Sequence, residues 1–117
     1  MEQEKKVFPV DTTDGFQYLD ESDETMTVET KTYENGNVVK RVTLSDGRKA
    51  IVRELKAWET EEEASKFHQN NKTMVEMAIA TIATKINDQP VIFEDIREMK
   101  AKDWNKIKYA SALVNFL

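Results

Sequence analysis

The sequence predicts an α+β fold: an N-terminal antiparallel three-stranded β-meander followed by three to four α-helices. Three observations predict it. Val38–Leu44 and Lys49–Leu55 are rich in β-branched residues and flank Asp46-Gly47, a strong hairpin signal. Met26–Tyr33 has the same strand-forming content, and Asn35-Gly36 separates it from the next strand. From Thr60 onward the apolar spacing changes from two residues to three or four, the period of a helix.

Composition bounds what such a chain can do. Its 117 residues suffice for one domain, and 39% apolar content supports one modest core. Cysteine is absent, which excludes disulfides, thiolate metal sites and cysteine nucleophiles and fits a reducing compartment. A net charge of −5 argues against nucleic acid as the main partner. No apolar run approaches the ~20 residues that span a bilayer, and Met1–Lys6 lacks the apolar core of a secretory signal. Cytoplasmic residence is therefore the expectation. The charge is also segregated. Residues 1–30 carry nine acids and two bases, whereas residues 31–56 carry seven bases and three acids. Such blocks are either solvated decoration or patches that guide contacts between subunits or with an acidic partner.

Taken in order, residues 1–24 form an acidic, flexible N-terminal arm, and residues 25–117 form the single α+β domain. Asp11–Gly15 and Asp20–Glu24 are polar and rich in turn formers, too poor in apolar area to offset the entropy of ordering. Phe16, Tyr18 and Leu19 lie between these clusters, either as a docking motif or packed back on the sheet. Residues 25–56 are the meander. A two-residue loop at Asp46-Gly47 pairs Val42 with Ile51 and Val38 with Leu55, but sets Lys40 against Arg53, so that either that end frays or a bulge shifts the register.

Residues 60–117 form the helical part. Thr60 with Glu63 matches the capping box, and Trp58 precedes it as a staple. Met74–Ile86 is apolar around much of its circumference and predicts the central helix, ended by Asn87-Asp88-Gln89-Pro90. Phe93–Met99 predicts a short helix or turn, and Asp103 an N-cap for the last helix. That helix carries one apolar stripe through Trp104, Ile107, Ala110, Val114 and Leu117, and a second through Tyr109, Leu113 and Phe116. Two stripes exceed what one core face needs, which makes Trp104, Ile107, Leu113 and Phe116 candidate protein-binding residues beside Phe16, Tyr18 and Leu19.

Catalytic chemistry finds little support. His68 is the only histidine, with no second ligand at helical spacing. No serine sits in a nucleophile elbow and no glycine-rich phosphate loop is present. Glu61, Glu62 and Glu63 are helix-start charges before they are acid–base groups. The expectation is a non-enzyme without cofactor or metal.

The layout resembles one known family. Val-Thr-Leu-Ser-Asp-Gly-Arg-Lys-Ala-Ile-Val-Arg-Glu-Leu is followed by Thr-Met-Val-Glu-Met-Ala-Ile-Ala-Thr-Ile-Ala-Thr-Lys-Ile, then Phe-Glu-Asp-Ile-Arg-Glu-Met and Asp-Trp-Asn-Lys-Ile. Over about residues 38–117 this is similar to the tail assembly chaperones of long-tailed bacteriophages and prophages, including the Mu-like branch. The resemblance implies a non-catalytic protein in the cytoplasm of a bacterial host. It would coat the helical tape-measure protein, give way to tail-tube subunits, and often occur with a frameshifted, extended form. Tape-measure and tail-tube proteins are then the expected partners, with a homo-oligomer possible in principle and neither nucleic acid nor membrane involved. A structural tail or neck protein and a small bacterial adaptor binding through the arm are the alternatives.

Overall fold

The computed structural model describes residues 15–63 and 72–115, the side chains of 62–63 and 72–74 excepted. Its strands are β1 (Val28–Thr32), β2 (Val38–Thr43), β3 (Lys49–Arg53), β4 (Thr84–Ile86) and β5 (Gln89–Pro90). They form one antiparallel sheet in sequence order. Among the described residues four α-helices accompany it: α1 (Glu21–Met26), α2 (Lys72–Ala83), α3 (Phe93–Glu98) and α4 (Ala101–Asn115). The class is α+β, and β1–β3 are the three-stranded meander. A short helix precedes the meander, and two further strands extend the sheet.

Alternation decides which face is covered. Val28, Val42, Ala50 and Ile86 form one cross-strand rung, and Thr30, Lys40, Val52 and Thr84 the next. All eight are buried. Ile107 and Ala110 of α4, Ala80 and Ala83 of α2, and Ile96 of α3 close over that face. A smaller cluster of Ala78, Ile79 and Phe93 joins α2 to α3. The other face carries Glu29, Arg41, Ile51 and Lys85 in register and is open over β3 and β4.

The β2–β3 hairpin corrects the expected register by one residue. Thr43 pairs with Lys49 and Val42 with Ala50, while Leu44 N donates to Arg48 O and Gly47 N to Leu44 O. The loop therefore holds three residues, with Gly47 alone at positive φ (90°) and Asp46 outside that region. Asn35-Gly36 repeats the arrangement: Tyr33 N donates to Asn37 O, and Gly36 has φ 89°. The bulge glycine moves Lys40 from Arg53 to Val52, which removes the like-charge pair.

The predicted central helix stops early. α2 ends at Ala83 and passes without a loop into β4, where Thr84 and Ile86 face the core and Lys85 faces solvent. Asn87 and Asp88 both have positive φ, 50° and 65°, and form a two-residue turn into β5. The residues read as a helix stop are a hairpin turn. Backbone pairing with β3 outweighs helix propensity there. Thr60 does not act as the expected N-cap: its hydroxyl donates to Ala57 O, and Glu59 accepts the Lys56 amide. Glu59–Glu63 winds as a π-helix. His68 lies outside the described residues.

The acidic segment is folded from residue 15 onward. Asp20 caps α1 by accepting the Asp23 amide at 2.8 Å, and Glu21, Asp23 and Glu24 occupy its first turn. These acids suit the positive end of the helix dipole, so what composition suggests is disorder is a capped helix start. Gln17 pairs with Thr30 along the outer edge of β1. Residues 1–14 of the predicted arm lie outside the described residues.

Candidate functional site

Two of the regions that leave apolar surface uncovered among the described residues are built by identifiable local chemistry. The first is α4. Asp103 was expected as its N-cap but sits in its first turn, and its carboxylate accepts from both Ser45 N and Ser45 Oγ at 2.8 Å. This ties the β2–β3 loop to the helix. At the other end Asn115 accepts the Leu55 amide at 2.8 Å and donates to Arg53 O. Tyr109 donates its hydroxyl to buried Asp23 at 2.8 Å, joining α4 to α1. Burial and that carboxylate push the Tyr109 phenol up to about 12.

Held in this way, α4 buries Ile107 and Ala110 completely. Ile107 is therefore core rather than a contact residue. Trp104 is half-buried against the core, with Lys108 5.9 Å above its ring. Leu113 is half-buried as well. Nine residues separate Trp104 from Leu113, so helical geometry places them on opposite flanks of the buried stripe. The first expected stripe is largely the buried one, with Trp104 at its margin, and the second runs along the other flank through Tyr109 and Leu113. Phe116 lies outside the described residues.

The aromatic cluster before α1 also divides. Phe16 is buried on the open sheet face, with the Arg41 guanidinium 4.3 Å and Lys31 Nζ 5.9 Å from its ring centre. Tyr18 is half-buried; burial first, and nearby Glu29 second, raise its phenol above the usual range. Leu19 alone is exposed, at 55%.

The second region escaped the sequence reading. A groove of about 930 Å³ runs between β3, the β4–β5 hairpin and the start of α3. Ile51, Ile82 and Ile92 supply apolar wall, Arg53 and Lys85 the cations, and Asp88 and Glu94 the acids. Arg53 is held by a two-pronged bridge to Glu59, at 3.1 and 2.8 Å. That bridge and the Lys56 amide draw the Glu59 carboxyl down to about 2. Ile92 is 62% exposed because it precedes α3 as its cap residue, with its amide held by Asp95 at 3.0 Å. The run Val91-Ile92-Phe93 after a proline was the available signal: three large apolar residues in a row exceed what a six-residue helix can bury.

The sheet also buries polar groups, Lys40 among them. Lys40 is 5% exposed and donates to Thr30 Oγ1 at 2.6 Å; burial lowers its pKa while Asp23 and Asp20 oppose that shift. It braces β1 against β2. Among the described residues no helix is long and apolar enough to cross a membrane. No family model, curated protein or solved structure matches the chain.

Proposed function

We propose that this chain is a non-catalytic tail assembly chaperone of a long-tailed phage or prophage. It holds the tape-measure protein soluble through the flanks of α4 and releases it as tail-tube subunits assemble. The resemblance over about residues 38–117 supports this reading. The observation that carries it is the partial exposure of Trp104 and Leu113 on a helix whose central stripe is sealed. A rigid helix with apolar flanks can grip another helix by groove packing, and nearby half-buried Met77 and Met99 add deformable apolar contact.

Co-expression with the tape-measure protein of the same genome tests the proposal. The wild-type chain raises the soluble fraction of that client, and Leu113→Asp abolishes the gain while the variant keeps its circular dichroism spectrum. A client equally insoluble with and without the wild-type chain overturns the chaperone reading. A client rescued equally by Leu113→Asp removes α4 as the contact surface.

A further inference from the structure

We propose that Asn35 is a site of spontaneous covalent modification: its side-chain amide is lost to the backbone nitrogen of Gly36, and water leaves aspartate or isoaspartate in its place. Asn35-Gly36 is the one Asn-Gly pair in the sequence. Both residues are exposed in the β1–β2 loop. Glycine puts no side chain beside its own nitrogen, and a Cβ built on Gly36 meets none of the described atoms within 4 Å. Asn35 Oδ1 accepts the Asn37 amide at 2.9 Å, so the side chain is turned back over its own loop. That oxygen gains negative charge when a nitrogen adds to Cγ, and a donor already aimed at it stabilises the charge as it develops. The new bond joins Gly36 N to Asn35 Cγ. Gly36 N gives up its proton, the side-chain nitrogen leaves as ammonia, and a cyclic imide remains. Water opens the ring at Cγ to give aspartate, or at the Asn35 backbone carbonyl to give isoaspartate.

The β2–β3 loop is an internal comparison, because its backbone is arranged alike. Gly47 N donates to Leu44 O as Gly36 N donates to Tyr33 O, and the two glycines have φ 90° and 89°. Asp46 Oδ1 accepts the Arg48 amide at 3.0 Å, as Asn35 Oδ1 accepts that of Asn37. The side-chain chemistry differs. The second Asp46 oxygen accepts from Arg48 Nε at 2.7 Å, and the Arg48 amide above all, with the Arg48 side chain, holds the Asp46 carboxyl below the usual carboxylate range. An anionic carboxylate repels a nucleophile and has no good leaving group, whereas a neutral amide accepts the nitrogen and expels ammonia. Asn35 therefore reacts and Asp46 persists. Because a carbonyl holds the Gly36 N–H, reaction waits on local opening of the loop. Aspartate at this position reproduces the Asp46 loop, which the fold already accommodates. Isoaspartate instead inserts a carbon into the main chain, breaks the Tyr33–Asn37 pairing and frays the β1–β2 hairpin from that end.

Incubating the full chain in mildly alkaline buffer, then quenching with acid and analysing tryptic peptides by mass spectrometry, tests this. The Thr32–Lys40 peptide gains the mass difference between an amide and an acid and resolves into aspartate and isoaspartate species. Peptides holding Asn87 and Asn105 keep their amides, and the peptide holding Asp46 stays a single species. Unfolding the chain in guanidinium before incubation speeds the change at Asn35, since no loop has to open. Asn35→Gln abolishes it, because the longer side chain must close a larger, less favourable ring. A chain aged until most of Asn35 has converted unfolds at lower urea than fresh chain, and Asn35→Gln aged alongside does not. Retention of the Asn35 amide for as long as those of Asn87 and Asn105 overturns the proposal. So does isoaspartate forming at Asp46 as fast as at Asn35, or an aged chain whose urea midpoint matches the fresh one.

Discussion

Asp103 shows how much one side chain can join. Its two oxygens hold the amide and the hydroxyl of Ser45, and the residue is 4% exposed. Replacing it with alanine removes both hydrogen bonds to the carboxylate, at about 1–3 kcal/mol. Urea unfolding of Asp103→Ala is expected to show that loss, with an unchanged slope. Tyr109 gives a pH signature. Its folded pKa of about 12 lies above the ordinary 10, so the folded state holds the proton more tightly. Its contribution to stability is complete below pH 10 and disappears as pH rises toward 12. Urea midpoints measured across that window fall for the wild type, and Tyr109→Phe removes the part of the fall that Tyr109 causes. Lys40 acts in the opposite sense, since burial lowers its pKa and folding becomes easier as it loses its proton. The roles of Asp103 and Asp23 were not legible in the sequence. Both looked like cap or turn acids, and their partners Ser45 and Tyr109 are distant along the chain.

At the scale of elements, the meander was legible because β-branched residues alternate across it and glycine punctuates it. Its register was not, because the loop type depends on which loop residues take positive φ. Gly36 and Gly47 do so alone, and each loop grows by one residue. The β4–β5 hairpin was hidden for another reason. Thr84-Lys85-Ile86 is too short to establish a period of two, and a helical pattern runs directly into it. Its turn supplies a test. Asn87 and Asp88 tolerate positive φ because their short polar side chains fit the left-handed region, which a β-branched residue does not. Asn87→Val is expected to cost about 1–2 kcal/mol in chemical denaturation, whereas Asn87→Gly leaves the midpoint nearly unchanged. Equal midpoints for valine and wild type would refute the turn geometry.

At the scale of the molecule, the boundary expected after residue 24 does not separate an appendage from a body. Phe16 is buried on the sheet, Gln17 pairs with β1, and Asp23 anchors α4 through Tyr109. Deleting residues 1–24 therefore removes part of the core. The loss of Phe16 alone corresponds to about 3–5 kcal/mol. A thermal melt of the truncated chain is expected to show a large drop in Tm, and an unchanged Tm would return the segment to the status of an arm. The candidate groove illustrates the limit of reading by segments. Ile51 precedes α2 and Ile92 follows it, and they line one groove because β4 pairs with β3.

The sheet margins carry one more consequence. Gln17 occupies the outer edge of β1, and β5 offers two residues, one of them a proline without an amide hydrogen. Both margins thus offer a further strand little to pair with, so the native fold resists seeding cross-β fibres even when highly concentrated. Thioflavin fluorescence should stay dark until the chain has begun to melt.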